Sequence, residues 1–159
     1  MNKFLIAIAI LVTDIFTKKI VCKNMKIGEK KEIVKKRFYF WYIKNKGAAY
    51  NSFEGYMPII KCISVIGILY CAFHMKKDDK MNSMGCTFLL GGALGNFIER
   101  IRYGEVTDFL YFEYQNKNDN SNIKKVFQKC SPIFNVADIF IAIGAILFVI
   151  SNIIKQNEK

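Results

Sequence analysis

Residues 133–154 read Ile133-Phe134-Asn135-Val136-Ala137-Asp138-Ile139-Phe140-Ile141-Ala142-Ile143-Gly144-Ala145-Ile146-Leu147-Phe148-Val149-Ile150-Ser151-Asn152-Ile153-Ile154. Asp138 is the one charged side chain in these 22 positions, and a helix of that length crosses a hydrocarbon layer of about 30 Å at about 1.5 Å per residue. The stretch predicts a transmembrane helix. Working outward, 57–75 and 4–22 have the same character over 19 residues each. A fourth block, 84–98, is shorter and glycine-rich, and reaches spanning length over 82–101. The fold class expected is therefore an all-α membrane protein, with four transmembrane helices in one domain over 1–159. Hydrophobic residues make up 52% of the 159, close to an ordinary globular chain, so their grouping into blocks decides the class.

The first block could instead be a cleaved secretory signal, since Met1-Asn2-Lys3 precedes an apolar run. Thr13-Asp14-Ile15-Phe16 offers no small-residue cleavage site, and Lys19-Ile20-Val21-Cys22 lacks the small residue of a lipoprotein box. A retained span is expected. Net charge is +11, from 24 Lys and Arg against 13 Asp and Glu, which suits nucleic acid or an anionic membrane surface. Blocks this apolar fit only the membrane, so anionic lipids are expected partners and nucleic acid is not. Five Cys without a Cys-x-x-Cys pair, and a single His, argue against a disulfide scaffold and against a zinc site; no metal is expected.

Four crossings put both termini on one side and the segments 23–56 and 102–132 on the other. Counting Arg100 with the latter, that far side carries fifteen Lys and Arg, against six beside the termini. Taken alone, the positive-inside rule would place the two long segments in the cytoplasm. Within 23–56, Phe38-Tyr39-Phe40-Trp41-Tyr42-Ile43 is β-prone and aromatic, and 27–37 is basic with scattered aliphatics. Together they predict a small β cap resting on the bundle. Residues 116–122 are merely polar.

Charges inside a span cost at least about 2.5 kcal/mol each on insertion scales, so each needs a partner or a task. Asp14 and Lys18 sit at i and i+4, spaced for an ion pair that supports the site. Gly91-Gly92-Ala93-Leu94-Gly95 permits close helix approach, and Asn96 and Arg100 follow on one face. Such an arginine can hold a carboxylate or a peptide carbonyl. Asn135 and Asp138 are three apart at the start of the last span, and share a helical face by that spacing. The natural partner for a buried Asp138 is Asp108, which follows the Asn96/Arg100 helix on the same side. Two carboxylates brought together share a proton, and the pair can serve as general base and general acid toward a water attacking a carbonyl. Such chemistry needs no cofactor. A Ser/Lys pair at Lys61 and Ser64 is the rival catalyst, against the simpler reading of a snorkelling lysine beside a packing serine. His74 reads as interfacial. A small proton-coupled transporter with intramembrane carboxylates is the alternative function, although its acids belong nearer the midplane.

The combination resembles the lipoprotein signal peptidases, the signal peptidase II family of bacterial intramembrane aspartic peptidases. Their Asp-x-x-Thr-Lys is similar to Asp14-Ile15-Phe16-Thr17-Lys18, and their Asn-x-Gly-Ala-Ala-aromatic to Asn45-Lys46-Gly47-Ala48-Ala49-Tyr50. Their Gly-Asn-x-x-Asp-Arg is similar to Gly95-Asn96-Phe97-Ile98-Glu99-Arg100, their Gly-x-Val-x-Asp-Phe to Gly104-Glu105-Val106-Thr107-Asp108-Phe109, and their Phe-Asn-x-Ala-Asp to Phe134-Asn135-Val136-Ala137-Asp138. The motifs cover nearly the whole chain in order. The resemblance implies that Asp108 and Asp138 are catalytic, that Asn45, Asn96, Arg100 and Asn135 line the substrate site, and that Asp14, Lys18 and Gly47 support it. It implies hydrolysis before the diacylglyceryl-modified Cys of a prolipoprotein, no cofactor, an extracytoplasmic β cradle, and a monomer. It also implies a multi-pass protein of the bacterial inner membrane with both termini cytoplasmic and the acids near the outer leaflet. That orientation opposes the charge count, and is preferred because a cap on anionic lipid carries its own positive charge. Glu99 stands where the family usually has Asp, one methylene longer.

Overall fold

The computed structural model describes residues 2–47, 55–76, 79–113 and 132–157. Ala48, Ala49 and Tyr50 of the second motif, the polar stretch 116–122 and Cys130 lie outside them. Four helices and four short strands follow in the order α1 Lys3–Asn24, β1 Lys30–Val34, β2 Phe38–Asn45, α2 Met57–His74, α3 Lys80–Tyr103, β3 Val106–Phe112, β4 Ile133–Phe134 and α4 Val136–Asn157.

Helix α3 is the hub, packed against α1, α2 and α4. Its glycines explain why. A Cβ at Gly91 would meet Ala7 O and Ile10 of α1 at 2.9 Å, one at Gly95 would run into the Asp14 carboxylate, and one at Gly92 would lie 2.5 Å from Ala137 O of α4. Gly85 and Gly144 face each other across α3 and α4, each backbone within 2.9 Å of the other's added Cβ. Small residues let these helices touch backbone to backbone. Gly92→Ala is therefore expected to push the first turn of α4 outward and to cost about 1–3 kcal/mol by overpacking. Gly67→Ala, whose Cβ meets nothing within 4 Å, is the control. It is expected to be neutral or to gain about 0.5–1 kcal/mol from helix propensity. Thermal unfolding of the two purified variants compares them.

Outward-facing surfaces are apolar. Ile63, Ile66, Leu69 and Phe73 of α2 are all more than 60% exposed, and α2 buries only Ile60 and Cys71. By length and composition α2 and α4 are each able to cross a membrane, with mean hydropathies of 1.7 and 2.3. Helix α1 buries Asp14 and Lys18 but leaves Lys19 exposed, and the charges of α3 lie at its ends.

The sheet is antiparallel in the order β1-β2-β3-β4. The segment 23–56 thus supplies two of its strands, and the other two come from either side of the last loop, joining the cap to α3 and α4. Tyr42 and Phe109 pack with Val21 and Met25, seating the sheet on the end of α1. On the sheet, the Lys30 ammonium lies 3.9 Å from the centre of the Tyr39 ring and 4.6 Å from that of Tyr111. A bulge between Phe40 and Ile43 resets the register so that Ile43 pairs with Asp108 and Asn45 with Val106.

Candidate active site

Helix α4 begins three residues later than its apolar block, because Ile133 and Phe134 pair with Tyr111 and Leu110 as strand β4. Asn135 is accordingly not on a helical face with Asp138 but caps the helix. Asn135 Oδ1 accepts from Asp138 N at 3.0 Å, and Asp138 Oδ2 accepts from Asn135 N at 3.1 Å. This reciprocal box satisfies two donors of the first turn, and it fixes the Asp138 carboxylate.

Strand β3 brings in Asp108, 2% exposed. Asn135 Nδ2 donates to Asp108 Oδ1 at 2.7 Å, to Asn96 Oδ1 at 3.0 Å and to Thr107 O at 3.3 Å. Asn135 therefore touches both acids, one through its amide and the other through its backbone. Asn45 Nδ2 donates to Asp108 Oδ2 at 2.9 Å, and Asn96 Nδ2 donates to Asp138 Oδ1 at 2.8 Å. Burial, and then the neighbouring Asp138 carboxylate, push the Asp108 carboxyl up to about 7, against the hydrogen bonds from Asn45 and Asn135.

Behind Asn96 stands a buried ionic group. Lys18 Nζ lies 2.7 Å from Asp14 Oδ2 and 3.2 Å from Glu99 Oε2, and it donates to Asn96 Oδ1 at 2.8 Å. Asp14 Oδ1 in turn accepts from Ala137 N at 2.9 Å, a second clamp on the start of α4. Arg100 Nη2 reaches Gly47 O at 3.4 Å.

Asn45, Asn96, Arg100, Asp108 and Asp138 line a single cavity of about 520 Å³. Ile139, Ala142, Ile143 and Ile146 of α4 add an apolar strip to its lining. Nothing in the sequence marks that strip as a cavity wall. The expected residues otherwise converge: Asn135 bridges the acids, and Asp14 and Lys18 stand behind Asn96. Lys61 and Ser64 do not join them; Ser64 Oγ donates to Ile60 O of its own helix at 2.8 Å. His74 stacks on Tyr70, with ring centres 3.9 Å apart.

A profile of the family described as Signal peptidase (SPase) II matches residues 6–154. The chain belongs to the signal peptidase II family. It is 36% identical over 153 residues to the lipoprotein signal peptidase of Listeria monocytogenes serotype 4a (strain HCC23), covering 94% of this chain and 92% of the relative. The corresponding enzyme of Clostridium tetani (strain Massachusetts / E88) is 33% identical over 150 residues, covering 92% and 88%. A bacterial membrane enzyme solved by the in meso method at 2.3 Å superposes with a TM-score of 0.82 at 31% identity, over 99% of this chain and 91% of the other. Family membership makes the protein a membrane peptidase, and its apolar α2 and α4 accord with that setting.

Proposed function

We propose that the protein is an aspartic endopeptidase that removes the signal peptide from prolipoproteins, cleaving before the diacylglyceryl-modified Cys. The observation that carries this reading is one cavity lined by both Asp108 and Asp138 together with an apolar strip of α4. Asp108 and Asp138 are the catalytic pair. Asp138, both of whose oxygens accept hydrogen bonds, takes a proton from water as its oxygen attacks the scissile carbonyl carbon. Asp108, protonated near neutral pH, gives its proton to the carbonyl oxygen. The resulting gem-diol collapses as Asp138 passes its proton to the leaving amine and Asp108 recovers one from a hydroxyl, so the C–N bond breaks and both acids return to their starting state.

Asn45, Asn96 and Arg100 bind and orient substrate around the pair; Asn135, expected to line the site, is fully buried and instead holds the two acids in place, and Asp14, Lys18 and Gly47 support them. The acyl chains of the modified Cys lie along Ile139, Ile143 and Ile146. All four helices span the bacterial cytoplasmic membrane, with both termini cytoplasmic and the site near the outer leaflet. The enzyme acts as a monomer without a cofactor.

Purified enzyme in detergent, incubated with a lipid-modified precursor and with the same precursor lacking lipid, is expected to cleave only the first before its Cys. Equal cleavage of both would remove the lipid from recognition, and cleavage of neither would return the intramembrane acids to a transport role. Cysteine labelling from outside intact cells is expected to reach 23–56.

A further inference from the structure

We propose that Glu99 and Thr107 form a matched pair that positions both acids of the dyad, resting on the peptidase reading above. Glu99 Oε2 accepts from Thr107 N at 2.8 Å and Glu99 Oε1 accepts from Thr107 Oγ1 at 2.7 Å, so one carboxylate straddles the backbone and hydroxyl donors of one residue. Thr107 is fully buried and directly precedes Asp108; its carbonyl accepts from the Asn135 amide that holds Asp108. The same Oε2 lies 3.2 Å from Lys18 Nζ, and Lys18 holds Asn96 and through it Asp138. Glu99 thus reaches Asp108 through β3 and Asp138 through α1, without lining the cavity itself.

The extra methylene of Glu99 has a physical use here. The carboxylate reaches from α3 across to β3, and the Thr107 hydroxyl takes its second oxygen. Lys44 Nζ donates to the same hydroxyl at 3.0 Å, giving the pair a cation from β2 as well as one from α1. The two residues are positioning residues: they hold the strand that carries one acid in register with the helix cap that carries the other.

Thr107→Val keeps the shape and β preference of the side chain and deletes the hydroxyl. It is expected to lower kcat about tenfold toward the lipid-modified precursor with KM within about twofold, as lost alignment of reacting groups does. Thr107→Ser is expected to keep most of the wild-type kcat. Glu99→Gln is expected to lower kcat by a similar factor, and the double variant by no more than the worse single one, because contacting residues are not additive. Loss multiplying across the double variant, or equal impairment by Ser and Val, would overturn the pairing.

A second measurement does not depend on turnover. The infrared band of protonated Asp108, identified by its disappearance in Asp108→Asn, titrates in the field of Asp138 on α4, Arg100 on α3 and Lys18 on α1. Thr107→Val is expected to raise its midpoint by loosening the Asn135–Asp108 hydrogen bond, and an unmoved midpoint refutes the positioning. A wild type that cleaves no precursor but shows the shifted band would sink the peptidase reading alone.

Discussion

Asp108→Asn and Asp138→Asn are each expected to lower turnover of a lipid-modified precursor by about 10²–10⁴-fold, the range carried by a positioned general acid or base. Each variant retains one carboxyl, but neither can both accept a proton from water and donate one to the carbonyl oxygen. Insertion into the membrane should be unaffected, because the apolar helix surfaces are unchanged, although each amide keeps only one of the two hydrogen bonds its carboxylate accepts and turns an NH2 toward the other donor; either variant with wild-type turnover would lose its place in catalysis. The pH dependence separates the two roles. In the proposed mechanism Asp108 is protonated in the resting enzyme, so kcat/KM is expected to fall as pH rises through about 7. The same shift has a consequence for stability. The carboxyl binds its proton up to about 7 in the folded protein and up to an ordinary 3.8 in the unfolded chain. Its contribution is thus fully present below about pH 4 and is lost as pH rises through about 7. Asp108→Asn lacks that loss. Its Tm relative to wild type is expected to climb between pH 4 and pH 7 and then level off, and a difference independent of pH would contradict the burial assigned to this acid.

Lys18→Met is expected to be the most damaging single change to stability, at about 3–5 kcal/mol, because removing one partner of a buried ionic group strands the others. Asp14 is fully buried, and Glu99 is only 13% exposed at its side chain. Both lose their ammonium at once, and Asn96 loses a donor to its carbonyl oxygen. Adding Asp14→Asn is expected to recover part of the loss, since the amide oxygen still accepts from Ala137 N without a charge to bury. Thermal unfolding of the single and double variants in detergent measures this. A double variant less stable than Lys18→Met would show that the Asp14 charge is held by something other than Lys18.

Much of the site was legible before any coordinates, and unevenly so. Asp14, Lys18 and the Asn96/Arg100 face could be read because helical spacing maps sequence separation onto space. The convergence of Asp108 with Asp138 could be argued only from the cost of a buried charge and from family resemblance, since they approach through sheet pairing and no local period encodes it. The cap of α4 is ambiguous in sequence for a related reason. Asn135 and Asp138 at i and i+3 fit both a shared helical face and a capping box, and β4 pairing of Ile133 and Phe134 decides between them. Thr107 fell at a variable position of its motif, and its two bonds to Glu99 depend on how β3 lies against α3. The apolar strip of α4 was hidden for another reason: when every face of a helix is apolar, its composition does not distinguish a cavity wall from a lipid-facing surface.

The bond from Asp14 to Ala137 N joins the first helix to the last. A nascent polypeptide that has released everything up to β3 holds one of its two acids and most of its amides, yet the backbone group that Asp14 awaits has not emerged. In the proposed mechanism hydrolytic competence therefore arrives only once α4, which carries both Ala137 and Asp138, has been made.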